Sequence, residues 1–160
     1  MTCKDRVAIV TGGAGSGMGR SIALTLAREG TAVVVNYLTN AESAAAIVGH
    51  IEQQGGLAFA FQADITRQDA CKALVDAAVE RFGRVDICVI GLGAGWHDAS
   101  IDRLDGDGAL DDARRELAPI YCLMPLVLAG GQTPGYAQVE VIGPTRIRTL
   151  DQGIMSPLLY

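Results

Sequence analysis

The sequence predicts a doubly wound α/β domain with a mostly parallel sheet, a single domain over all 160 residues. Two observations carry this. Short, nearly continuous runs of β-branched and other apolar residues alternate with longer amphipathic stretches, as expected of strands covered on both faces by helices. A glycine-rich turn directly follows the first strand and opens the first helix, and the other joints are short, which implies right-handed crossovers. The expected sheet order is 3-2-1-4, with the last strand beside the fourth.

The first strand is read at residues 7–10 and leads into the first helix at about 18–29, where Ile22, Leu24, Leu26 and Ala27 supply apolar positions and Gly30 a stop. The second strand covers 32–35. Asn40 then offers an N-cap for a helix at about 41–54 that Gly55 and Gly56 end. A third strand at 57–61 precedes a helix at about 68–82, for which Thr66 is the expected cap and Gly83 the terminator. The fourth strand spans 85–90. Beyond it come a glycine-rich loop, a polar stretch to Gly108, and a helix at about 110–128 that Pro119 and Pro125 are expected to kink or split. A final strand is read at 137–142, followed by an irregular tail.

Composition narrows the function. The chain is 49% hydrophobic and 19% charged, which suits a packed globular protein, and its 20 glycines point to tight turns and close backbone approaches. With 13 basic against 18 acidic residues and no basic run, neither nucleic acid nor an anionic membrane is an expected partner. No leader-like or membrane-spanning stretch is seen, so a cytoplasmic location is expected. Cys3, Cys71, Cys88 and Cys122 are widely spaced and read as reduced thiols, and with only His50 and His97 no metal site is expected.

The turn itself reads Thr11-Gly12-Gly13-Ala14-Gly15-Ser16-Gly17-Met18-Gly19. Glycines here let the backbone approach a pyrophosphate, while the helix that follows aims its free N–H groups and positive dipole end at the charge. Gly17 and Gly19 are expected to line that pyrophosphate. The loop resembles the Thr-Gly-x-x-x-Gly-x-Gly motif of the short-chain dehydrogenase/reductase family, with Gly13, Gly17 and Gly19 at the three-glycine spacing and Gly12 extra. Asp64-Ile65 after the third strand is similar to the family's acidic-aliphatic pair, and residues 81–87 resemble its run into the fourth strand. The likeness is good over about residues 5–90.

The resemblance implies a Rossmann-type fold and a cofactor site of Gly13, Ser16, Gly17, Met18, Gly19, Asn36, Asp64, Ile65 and Gly93. In it the Asp64 carboxylate meets the adenine amino group and the next N–H a ring nitrogen. Asn36 stands where an acidic residue would bond the ribose 2'-hydroxyl, so a 2'-phosphate is admitted and NADP is favoured over NAD; a plain turn residue is the other reading of Asn36. Gly93 is the one match to the family's Asn-Asn-Ala-Gly segment.

No catalytic residue is assigned. The family's Asn would fall near Ala118, and its Tyr-x-x-x-Lys finds only Tyr136 followed by Glu140, a charge that would raise rather than lower the phenol's pKa. Residues 139–149 resemble instead a later strand of the family, with Thr149 at its nicotinamide-contacting position, as if several tens of residues bearing Ser, Tyr and Lys were missing. Trp96 and His97 follow the fourth strand, where a substrate pocket and a covered sheet edge are both readings. The implied function is hydride transfer between NAD(P) and a small alcohol or carbonyl, impaired in this chain. A non-catalytic dinucleotide-binding protein and a flavodoxin-like or phosphoacceptor domain are the alternatives. Family members commonly pair through the fourth helix, so a homo-oligomer is expected, and the apolar run from Ile120 to Leu128 agrees.

Overall fold

The structure of the chain, a computed structural model, describes residues 3–91, 106–130, 138–142 and 146–148. The elements run β1 (Val7–Val10), α1 (Met18–Arg28), β2 (Ala32–Tyr37), α2 (Ala41–Gln53), β3 (Ala58–Gln62), α3 (Gln68–Phe82), β4 (Ile87–Gly91), α4 (Gly106–Gly130), β5 (Gln138–Ile142) and β6 (Arg146–Arg148). One sheet orders them β3-β2-β1-β4-β5-β6. Every pairing is parallel except β5 with β6. The doubly wound fold and its expected order are therefore present, and β6, which lies in what reads as an irregular tail, is an addition.

Period-two alternation decides which helices each strand residue meets. Ile9, Val34, Cys88 and Ile90 face α3 and α4, packing with Leu74, Ala78, Leu123 and Val127. Their neighbours Val10, Val33, Val35 and Val89 face the other way, onto Ala23 of α1 and Ala44, Ile47 and Ile51 of α2. Both faces are thus covered, which is why the strands read as unbroken apolar runs. Ile9, Val34 and Leu74 are wholly buried.

Local signals end most of the helices as read. The Asn40 side chain accepts the Ser43 N–H at 3.0 Å, capping α2, and Gly83 closes α3 at φ +82°. Thr66 does not cap α3: the N-cap is Arg67, without a side-chain bond, because the Thr66 hydroxyl donates to Asp64 instead. Nor do the prolines split α4, which runs unbroken through Pro119 and Pro125. The carbonyls they leave without a helical donor belong to Arg115 and Tyr121, both exposed residues.

Two clasps join β1 to β4. At the strand starts, the Asp86 carboxylate accepts the Val7 N–H at 2.9 Å and pairs with Arg84. At the strand ends, the Gly91 N–H donates to the buried Thr11 hydroxyl at 2.8 Å, and the Thr11 N–H to the Val89 carbonyl at 2.9 Å.

Candidate functional site

The turn from β1 into α1 divides its glycines by task. Gly12 takes φ +61°, a left-handed conformation that side chains disfavour, so the residue set aside as extra makes the reversal. A Cβ on Gly13 would lie 3.1 Å from a Val35 methyl and 3.2 Å from the Val10 carbonyl oxygen. One on Gly19 would sit 2.6 Å from the Gly12 carbonyl oxygen, a distance no real contact tolerates. Gly19 therefore lets the first turn of α1 pack on the loop, and its bare face turns to Gly12. Gly17 joins open space to an ordinary φ of −97°: a Cβ there would meet nothing within 4 Å.

Gly17 is also the N-cap of α1, with no side-chain cap and no acidic residue in the first turn. The other helices with a described N-terminus differ: α2 has the Asn40 cap and Glu42, and α3 has Asp69 in its first turn. The start of α1 thus keeps its unpaired N–H groups and positive dipole end facing outward beside exposed Ser16 and Met18. Chemically this is a cradle for an anion, and a pyrophosphate fits it.

Parallel register brings the other candidates to the same edge. Val10 pairs with Val35 and Val89, and Asn36 with Phe61, so the loops after β1, β2 and β3 leave the sheet together. Asn36 is not a turn residue but the fifth residue of β2, 2% exposed. Its amide N–H₂ donates to the carbonyls of Ala63 at 3.1 Å, Phe61 at 3.3 Å and Tyr37 at 3.4 Å. The side chain therefore ties the end of β2 to the end of β3, just before Asp64.

Asp64 forms a tight local turn. Its Oδ1 accepts the Thr66 hydroxyl at 2.7 Å and the Thr66 N–H at 3.0 Å. The hydroxyl first and the backbone N–H second hold its carboxyl below the usual 3.8, outweighing slight burial. Asp64 is accordingly an ionised acceptor, and among the described residues its second oxygen has no partner. Ile65 packs half-buried against the core on the α3 side.

Gly93, Trp96, His97, Tyr136 and Thr149 lie outside the described residues. Among those described, no three His, Cys, Asp or Glu side chains gather as metal ligands. Thr11, Gly12 and Gly91 were not singled out from sequence as functional. A Thr at the strand end and a second glycine in a run were the only signals, and the Thr11–Gly91 bond spans 80 positions. A cleft of about 520 Å³ lies at the opposite edge, among Arg6, Arg28, Gly56, Leu57 and Arg84. It sits at the strand starts, where the helices present their carbonyl ends, and is no part of the cradle.

The family model described as short chain dehydrogenase matches residues 6–109. An uncharacterized oxidoreductase of Methylorubrum extorquens is 47% identical over 86 residues, which make up 54% of this chain and 34% of the relative. A 7alpha-hydroxysteroid dehydrogenase of Escherichia coli is 46% identical over 90 residues, again 34% of its length. A dehydrogenase/reductase structure from Sinorhizobium meliloti superposes with a TM-score of 0.79 at 30% identity, covering 89% of this chain and 56% of that one. A short chain dehydrogenase from Burkholderia cenocepacia, solved in complex with NADP, gives 0.75 at 31% identity, covering 88% and 56%. The chain spans about a third of the curated relatives it matches and just over half of the solved chains.

Proposed function

The chain belongs to the short-chain dehydrogenase family, and from that membership we propose that it is the dinucleotide-binding part of an NAD(P)-dependent oxidoreductase acting between alcohols and carbonyls. The observation that carries the reading is the start of α1, uncapped, without acid, and unobstructed at Gly17. Backbone N–H groups of Ser16, Gly17 and Met18 hold the pyrophosphate, with Gly13 and Gly19 giving the loop its close packing. Asp64 accepts from the adenine amino group and the Ile65 N–H donates to the ring. When bound, the cofactor supplies the hydride acceptor or donor; the chain orients it and keeps its charge neutralised. Gly93 completes the cofactor contacts after β4.

NADP is favoured over NAD. Position 36 carries no carboxylate to repel a 2'-phosphate, and a 31% identical structure of the family holds NADP. Asn36 acts by fixing the end of β2 on which that phosphate would rest, since its amide is committed to carbonyls.

Turnover by this chain alone is not expected, because Tyr136 is followed at the Lys position by Glu140, which lies in strand β5 opposite Val89 and supplies no cation. A non-catalytic dinucleotide-binding protein is the second reading on the same ground. Family membership removes the flavodoxin-like alternative. Self-association through α4 belongs to the proposal: Leu110, Leu117, Tyr121 and Leu128 are exposed and fall within about 40° of one another around the helix. So does a cytoplasmic location; no helix among the described residues is long and apolar enough to cross a membrane.

The test is a fluorescence titration with NADPH and NADH. Saturable binding, tighter for NADPH, is expected from the chain and not from Gly17→Val, whose branched side chain would occupy the phosphate path. Equal affinity in a folded Gly17→Val protein would refute the cradle.

A further inference from the structure

The two thiols that lie against the adenine loop come from different helices and converge on successive peptide units. Cys71 of α3 is buried and donates its S–H to the Ile65 carbonyl at 3.2 Å. Cys122 of α4 is half-buried and donates to the Thr66 carbonyl at 3.8 Å. Both carbonyls belong to the turn that Asp64 organises, and the Cys122 sulfur is near enough to Cys71 to hinder its ionisation. Neither thiol has a part in the cofactor contacts. Cys88, 1% exposed in the sheet, is out of reach of a solvent oxidant.

We propose that Cys71 and Cys122 form a reversible disulfide under a low-molecular-weight disulfide oxidant, and that its closure loosens the Asp64–Thr66 turn and so weakens dinucleotide binding. The coupling half rests on the function proposed above; the covalent half does not. The chemistry balances as thiol–disulfide exchange. The Cys122 thiolate, its proton lost to solvent, attacks one sulfur of the small disulfide and expels one small thiolate. Cys71 then loses its proton to solvent and its sulfur displaces the second small thiolate from Cys122. Two protein thiols are oxidised and one small disulfide is reduced to two thiols. Both S–H donors are withdrawn from the Ile65 and Thr66 carbonyls at once, which frees the peptide units carrying the adenine contact.

Closure is slow near neutrality. Burial, and then the neighbouring Cys122, push the Cys71 thiol up to about 12, so its thiolate is scarce. The displacement step should accelerate about tenfold per pH unit through the mildly alkaline range, following that thiolate.

The experiment incubates the whole chain with oxidised glutathione at mildly alkaline pH, blocks remaining thiols, and maps the linkage by proteolysis and mass spectrometry. A peptide bearing Cys71 joined to one bearing Cys122 is expected, reversed by dithiothreitol and absent from Cys122→Ser. NADPH affinity of the oxidised chain should fall by about three- to tenfold and recover on reduction. Four unmodified thiols, a persistent glutathione adduct on Cys122, or a link to another cysteine would overturn the pair. A mapped Cys71–Cys122 link with unchanged NADPH affinity would overturn the coupling. Failure of the reduced chain to bind NADPH would overturn the coupling too, by removing the function it rests on, while the mapped link would still stand.

Discussion

A single missing Cβ has different consequences along the β1–α1 turn, and that separates binding from folding. Gly19→Ala places a carbon 2.6 Å from the Gly12 carbonyl oxygen, which is backbone and cannot swing aside. It should cost about 1–3 kcal/mol and lower the melting temperature with binding lost only secondarily. Gly17→Val should do the reverse, leaving the melting temperature close to that of the parent. Asn36→Asp replaces the donor to three carbonyls with an acceptor, so it should destabilise by about 1–3 kcal/mol in chemical denaturation, whatever it does to cofactor choice. Asp64 predicts a pH dependence. Its carboxyl is held low by Thr66, so the turn's contribution to stability is present above the usual 3.8 and lost only as pH falls through the still lower folded value. Thermal melts of wild type and Thr66→Ala should therefore differ most at neutral pH and converge in strong acid. The glycine cradle was legible in sequence because its spacing is local. That Gly12, not Gly13, carries the positive φ was not, since adjacent glycines are equivalent until packing fixes which one turns.

At the scale of elements, what the sequence makes plain is what its own neighbourhood determines. The Asn40 cap and the Gly83 stop act within a turn of the residues they serve, and both are seen where expected. Asn40→Ala should cost about 1 kcal/mol, read as a small drop in melting temperature. The Thr66 cap fails because one hydroxyl has two local suitors and Asp64 wins. The continuity of α4 through two prolines depends on which side of the helix the freed carbonyls face, and that follows from its packing on α3 and β4, not from local sequence. Strand β6 escapes notice for a similar reason. Three residues pairing antiparallel with β5 carry no period of their own, and the partner supplies the register.

For the whole molecule, the self-association proposed above is tested at the exposed stripe on α4. Tyr121, 74% exposed at its centre, should anchor contact between copies. Tyr121→Glu should shift the sedimentation coefficient toward that of a monomer at matched concentration, with NADPH affinity unchanged; a wild-type chain that is already monomeric at high concentration would remove the oligomer proposal. The overall architecture was readable because strand runs, helical stripes and short joints all agree on one answer. Of the candidate site, the glycine turn was readable because there motif and element boundary coincide.

The clasps at the two ends of β1 and β4 bear on how a ligand gets in. Here the crossover connections part to opposite faces of the sheet. Asp86 on Val7 below and Thr11 on Gly91 above stitch this seam at both ends. Two strands held at both ends do not spread like jaws, so a guest of the glycine turn would reach it from outside the sheet. Its entry is then a matter of side chains and loops stepping aside in nanoseconds to microseconds, not of sheet opening. Amide hydrogens of Val7 and Gly91 should exchange as slowly as those buried at the centre of β1, with cofactor or without.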